Sequence, residues 1–338
     1  MSNYDLKKYD KSNVCKAYDA WPEIARKSYQ SKIEIVPDFK NIEHVVFVGM
    51  GGSGTIGEIL SPLVKLPYYA SVIKSQILPK TVNHNSLVIA TSFSGNTYET
   101  LSVLQEAKRR GCRIVAFSSG GKMKDYCIKN GIIHHEIDLL HSPRASLPAG
   151  LYKMLKALES QFGIPHDEIL DSLKVLEETN KKINSSIISN KNPAIKLADW
   201  ITGIPIIYYP LGLGPAALRF KNSIQENAKI HAIAEEVMEV CHNAIMSWEK
   251  TDNQKCILIR GTDDHQKTKE RWDIIKRYFD KNNISFYEFF SIHGNLLSKI
   301  INLIYMLYFT SIYLAIKNGT DPGPIKSIDY IKKHTGKQ

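Results

Sequence analysis

The chain has 338 residues, 43% of them apolar and 23% charged, which is a soluble globular balance with length for one large or two ordinary domains and a sizeable core. The formal net charge is +10, carried mostly by Lys along the whole length. With no dense basic block and no interleaving of Arg with aromatics, this charge excludes an ordinary nucleic-acid reader; it either helps draw in a small phosphorylated molecule or has no functional meaning.

Taken in order, residues 1–40 are polar and mixed, with helical signals around Tyr18–Lys32, and read as a helical lead-in. The stretch His44–Leu60 (HVVFVGMGGSGTIGEIL) predicts a strand at Val45–Val48, a glycine turn and a helix. Further strands are predicted at Tyr69–Lys74, Leu87–Thr91, Arg113–Phe117 and Gly131–Ile137, most of them separated by helical patterns. That alternation predicts a parallel sheet with helices on both faces, over a first domain of residues 41–150. From Pro148 to about Asn190 the periodicity is helical, so residues 151–192 read as a connector. The second half repeats the first: a strand at Pro205–Tyr209, a glycine turn at Gly212–Gly214, and a helix opened by Pro215, where proline is tolerated. Strands at Cys256–Arg260 and Ser285–Phe290, with a helix from about Lys267 to Phe279 between them, complete a second domain of 193–318. The apolar run Ile300–Ile316 contains Asn302, Thr310 and Ser311 and barely reaches membrane-spanning length, so it predicts a core or interface helix. Residues 319–338 form a proline-containing turn and a short tail helix. Five cysteines without CxxC pairing, and no signal peptide, point to a reducing, cytoplasmic setting.

The chain is organised around Ser86–Leu101, SLVIATSFSGNTYETL. A buried strand leads into three hydroxyls, Ser92, Ser94 and Thr97, around Gly95, and then into a helix N-terminus. Backbone N–H groups, the positive end of the helix and Ser/Thr donors there converge into an anion site without any Lys or Arg. An ordinary cluster of N-capping residues has the same composition. Gly49, Gly51 and Gly54 satisfy a dinucleotide fingerprint, yet no Asp or Glu occurs between Glu58 and Glu99, where a ribose-binding carboxylate belongs; a 2′-phosphate reader could use Lys74 instead, so the dinucleotide reading is weakened. Ser53 instead adds a hydroxyl to the turn after the first strand, facing the same crevice. Two such turns suit a sugar phosphate.

GMGGSG at Gly49–Gly54 and TSFSGNTYET at Thr91–Thr100 resemble the sugar isomerase (SIS) domain family. SPRASLP at Ser142–Pro148, QENAK at Gln225–Lys229, CHN at Cys241–Asn243 and GTDPGPIKSIDYIKK at Gly319–Lys333 follow in the order of the bifunctional phosphoglucose/phosphomannose isomerases. The resemblance implies two tandem SIS domains, each an αβα sandwich, in a homodimer with its active site at the domain or subunit interface. It implies interconversion of glucose 6-phosphate, and of mannose 6-phosphate, with fructose 6-phosphate, without metal, nucleotide or other cofactor, nucleic acid or membrane. By motif, Ser92, Ser94 and Thr97 would bind phosphate and Ser53 would contact the sugar, with Gly52 also in the substrate- and phosphate-binding set. Glu226 would be the base, His242 the ring-opening group, Arg144 the neighbour of the reacting carbons, and Lys332 of the tail a helper. The sequence departs from the commonest pattern in Cys241, before the His, and in Thr91 and Phe93 around Ser92.

The chemistry suits these residue types. A carboxylate can move a proton between two carbons, a guanidinium stabilises an enediolate, and an imidazole with a pKa near 6.5 can shuttle protons at neutrality. Outside their motifs, Glu226 reads as a surface glutamate, Arg144 as a partner of nearby carbonyls and His242 as one of eleven histidines. Lys326 and Lys333 share the tail with Lys332. No His/Cys spacing suggests a metal site. The alternatives are a non-catalytic sugar-phosphate sensor, which would want a DNA-binding segment that the first 40 residues do not show, and an amino-sugar phosphate isomerase, which would usually want an ammonia source.

Overall fold

Leu87, Val88, Ile89 and Ala90 are fully buried, as a strand covered on both faces must be. In the computed structural model, which describes residues 4–37, 39–65, 67–250 and 254–335, they lie at the centre of the first of two parallel sheets. Of the expected segments, residues 1–3 and 38 of the lead-in, 66 of the first domain, 251–253 of the second and 336–338 of the tail fall outside that description.

The chain divides into two compact units. One is Ala20–Leu173; the other combines Met1–Asp19 with Lys174–His334, so the division falls inside the helix His166–Ile183.

In the Ala20–Leu173 unit, β1 (His44–Val48), β2 (Tyr69–Ile73), β3 (Ser86–Ser92), β4 (Arg113–Ser118) and β5 (Ile133–Glu136) run parallel in the order β2-β1-β3-β4-β5. Val48 pairs with Ala90, and Ser92 with Ser118, which brings the carboxyl ends of β1, β3 and β4 side by side. Alternate residues serve opposite faces. Val46, Val48, Val88, Ala90 and Ala116 pack with Val103, Leu104 and Ala107 of the helix Tyr98–Arg109 and with Met123 and Cys127 of Gly121–Asn130. Phe47 faces the other way, against Gly57 of the helix Gly51–Leu60 and, at 6.0 Å between ring centres, Phe162 of the helix Leu147–Phe162. The result is the three-layer sandwich expected. The leading helix Trp21–Gln30 packs on Leu147–Phe162, with the Trp21 indole donating to the Ala145 carbonyl at 2.9 Å.

In the other unit, β6 (Ile206–Tyr209), β7 (Ile233–Glu236), β8 (Cys256–Arg260) and β9 (Phe286–Phe290) form a parallel sheet in the order β7-β6-β8-β9. The order β2-β1-β3-β4 of the first sheet is thus repeated, with no counterpart of β5 among the described residues. The edge strand β7, sequence IAEE, has no apolar run and was not expected from the sequence; pairing with β6 places it. The helix Leu296–Lys317 is long and apolar enough to cross a membrane, but 94% of its most apolar window is buried in the protein. Several of its polar groups are paired: the Asn302 amide donates to Thr179 at 2.8 Å, and the Thr310 and Ser311 hydroxyls bond the carbonyls of Met306 and Tyr308, whereas the Ser298 hydroxyl and the Asn302 oxygen are buried without a hydrogen-bond partner among the described residues. It is a core helix.

Candidate active site

In the order β2-β1-β3 the chain reverses direction across the sheet between β1 and β3, and the crevice outside their carboxyl ends is where such folds bind ligands. Both glycine- and hydroxyl-bearing turns leave the sheet there. The turn after β1 is tight: a Cβ on Gly54 would stand 2.6 Å from the Gly49 carbonyl oxygen, so the first turn of the helix Gly51–Leu60 admits only glycine at position 54. Ser53, one residue earlier, is buried and accepts from the Phe93 amide at 3.3 Å, which joins the two turns.

In the turn after β3, Ser92 is buried and its hydroxyl meets that of Thr97 at 2.9 Å. Thr97 occupies the N-cap of Tyr98–Arg109 without capping it through its side chain, so it turns to Ser92 and leaves the positive helix end facing the turn. Ser94 is exposed, and its hydroxyl accepts from the Asn96 amide at 3.2 Å. Asn96, which the sequence reading passed over, latches the turn: its amide donates to the Ser94 carbonyl at 3.0 Å and its oxygen accepts from the Lys122 amide at 3.1 Å. Its place between Gly95 and Thr97 was the available signal. Arg144 is buried in the segment Ser142–Pro148, and a Cβ on Gly52 would lie 3.4 Å from the Pro143 oxygen and 3.7 Å from the Arg144 Cα. The fold therefore gathers Gly52, Ser53, Ser92, Ser94, Thr97 and Arg144 in one unit. Lys74, the candidate considered for a nucleotide 2′-phosphate, is instead paired with Glu58 at 2.5 Å.

The remaining candidates belong to the other unit. The helix Gly214–Ser223 continues into a π turn, Ile224–Ala228, that carries Glu226; such turns concentrate at functional sites. The Glu226 carboxylate is held on both oxygens by Arg219, Nη2 to Oε2 at 3.0 Å and Nη1 to Oε1 at 3.4 Å. Arg219 is 1% exposed, whereas the Glu226 side chain keeps 22% of its surface open. The Arg219 Nε donates to the Tyr308 hydroxyl, and its guanidinium lies 4.8 Å from that ring's centre. Sequence reading missed Arg219. Its spacing of seven residues before Glu226 was the only signal, and Tyr308 left none. His242 is exposed in the turn after Val237–Val240, and Lys332 is exposed on the helix Lys326–His334, as are Lys326 and Lys333. Among the described residues, Glu226, His242 and Lys332 make no hydrogen bond or ion pair with one another, and no three His, Cys, Asp or Glu side chains could hold a metal ion.

One histidine without a motif stands out electrostatically. His135 on β5 is buried against Phe117, its Nε2 has no partner, and burial above all, with His134 and Lys153 adding, holds its pKa down at about 4. The unfolded chain takes up this proton near pH 6.5, so the stability due to neutral His135 is present above pH 6.5 and lost as the pH falls towards 4. Denaturant titrations are expected to show a loss of about 2–3 kcal/mol over that window, reduced in His135→Phe. An equal loss in the variant would assign the acid sensitivity elsewhere.

Residues 38–132 match the model of the SIS domain, and residues 190–334 that of the bacterial phospho-glucose isomerase C-terminal SIS domain. The bifunctional phosphoglucose/phosphomannose isomerase of Caldicellulosiruptor bescii is 32% identical, with 92% of this chain and 95% of that protein covered. The chain belongs to this family. A D-glucosamine-6-phosphate 4-epimerase of Sulfolobus acidocaldarius is 30% identical over 73% of this chain and 76% of its own length. The family's fold extends further: the C-terminal domain of glucosamine-fructose-6-phosphate aminotransferase from Francisella tularensis superposes with a TM-score of 0.69 at 16% identity, covering 94% of this chain and 98% of that one.

Proposed function

We propose that this protein is an aldose–ketose isomerase that interconverts glucose 6-phosphate and mannose 6-phosphate with fructose 6-phosphate, as a cytoplasmic homodimer. The observation that carries this reading is the Glu226 carboxylate, partly open to solvent and fixed by a buried guanidinium, in a chain of this family. The hydroxyls of Ser92, Ser94 and Thr97 and the helix end behind them hold the phosphate, and neutral donors allow its release. Gly52 and Ser53 take the sugar. His242 opens the ring by moving a proton between the C1 hydroxyl and the ring oxygen. Glu226 then removes the proton from C2 and returns it to C1, while O2 becomes the carbonyl and O1 the hydroxyl. Arg144 stabilises the negative charge of the enediolate as it forms, with Lys332 assisting. Glucose and mannose differ only at C2, which is planar in the enediol, so one set of groups serves both.

The test is a coupled assay for fructose 6-phosphate, started with glucose 6-phosphate or mannose 6-phosphate in the absence of added metal. Product is expected from both. A folded protein that turns over neither would overturn the assignment. Glucosamine 6-phosphate is the third substrate to offer, given the epimerase relative, with its C4 epimer followed by chromatography because that reaction releases no fructose 6-phosphate; turnover of it alone would replace isomerase by epimerase.

A further inference from the structure

The geometry points to Arg219 as a positioning residue that fixes the attack direction of the Glu226 carboxylate, an inference that rests on Glu226 being the base. Residues seven apart on a regular α-helix share a face but are about 10 Å apart along the axis. Here the π turn follows the helix of Arg219 directly, and the side chain spans the interval to reach both carboxylate oxygens. The rest of the turn is already fastened. Lys229, in a left-handed conformation at φ +59°, donates to the Glu226 carbonyl at 2.5 Å and to the Pro324 carbonyl at 2.8 Å. Asn227 is buried and donates to Ser311 at 2.8 Å. With the backbone of Glu226 held from two sides, its remaining freedom is side-chain rotation, and the two-pronged contact with Arg219 removes it.

The guanidinium is in turn fixed by the Tyr308 hydroxyl and ring, and Tyr308 packs on Tyr18 at 4.8 Å between ring centres. Arg219 is 1% exposed and so acts through Glu226 rather than on a substrate. Lysine cannot replace it, because a point charge on a flexible stem grips one oxygen and lets the carboxylate swing.

The experiment is a double-mutant cycle on the full chain with glucose 6-phosphate. Arg219→Lys is expected to lower kcat by about 10- to 100-fold, the scale of a small misplacement of a reacting group, with KM within about twofold. In the Glu226→Gln background the same substitution is expected to change the residual kcat by less than about twofold, since the group it positions is gone. A merely structural role would lower both backgrounds by the same factor, and that result, or a rise in KM at constant kcat, would overturn the proposal. Tyr308→Phe, which keeps the ring and Arg219, is expected to repeat the pattern with a loss of about 3- to 10-fold; it decides the matter if Arg219→Lys does not fold, an unchanged kcat counting against. A fully active Glu226→Gln would remove the base assignment and this role together. An inactive Glu226→Gln beside a fully active Arg219→Lys would remove the positioning role alone.

Discussion

Glu226→Gln is expected to reduce kcat for glucose 6-phosphate by about a thousandfold, within the range a positioned acid–base group supplies, while KM changes little. The amide keeps the shape and one acceptor for Arg219 but cannot take the C2 proton. KM is expected to hold because the proposed phosphate anchors, Ser92, Ser94 and Thr97, are not touched by this substitution. Loss of the charge leaves Arg219, 1% exposed, without its ionic partner, so the folded fraction is to be measured beside the rate. A correctly folded Glu226→Gln retaining more than about a tenth of the wild-type kcat would mean another group moves the proton. Steady-state kinetics with a thermal melt of the same preparation decide between these results.

The second large effect is expected at the turn after β3, the proposed phosphate site. Gly95 sits at φ +67°, and a Cβ there would fall 1.8 Å from the carbonyl oxygen of Gly120, a backbone atom with nowhere to go. Gly95→Ala therefore combines a left-handed backbone with a displaced neighbouring turn, and is expected to cost about 3 kcal/mol or more of stability. It should also raise KM strongly, because Ser92, Ser94 and Thr97 move with the turn. Gly131→Ala separates the two causes. It shares the conformation, at φ +60°, but its Cβ would meet nothing within 4 Å, so a loss of only about 1 kcal/mol and an unchanged KM are expected. Urea titrations and KM measurements on both variants check this; equal losses would show that backbone conformation, and not the approach of Gly120, requires glycine at position 95.

Much of this protein is written locally in its sequence. The apolar runs of β1, β3, β4 and β8 announce strands because a strand buried on both faces can carry little else, and the glycines and hydroxyls that follow β1 and β3 mark turns whose geometry few other residues permit. The repeat of strand, glycine turn and helix foretold two similar sheets. Strand β7 was silent because a half-exposed edge strand needs no apolar run; its neighbour β6 supplies the hydrogen bonds. Glu226 was visible only through its motif.

What holds Glu226 was decided by tertiary structure alone. Arg219 meets Tyr308 across 89 positions of sequence, and Lys229 meets Pro324 across 95. His135, likewise, was an unremarked histidine until burial against Phe117 took away its solvent. Local sequence determines backbone conformation because sterics and periodicity act between near neighbours. The pairing and desolvation of a charged side chain depend on which distant segments come to lie around it, and no short stretch of this chain contains that information.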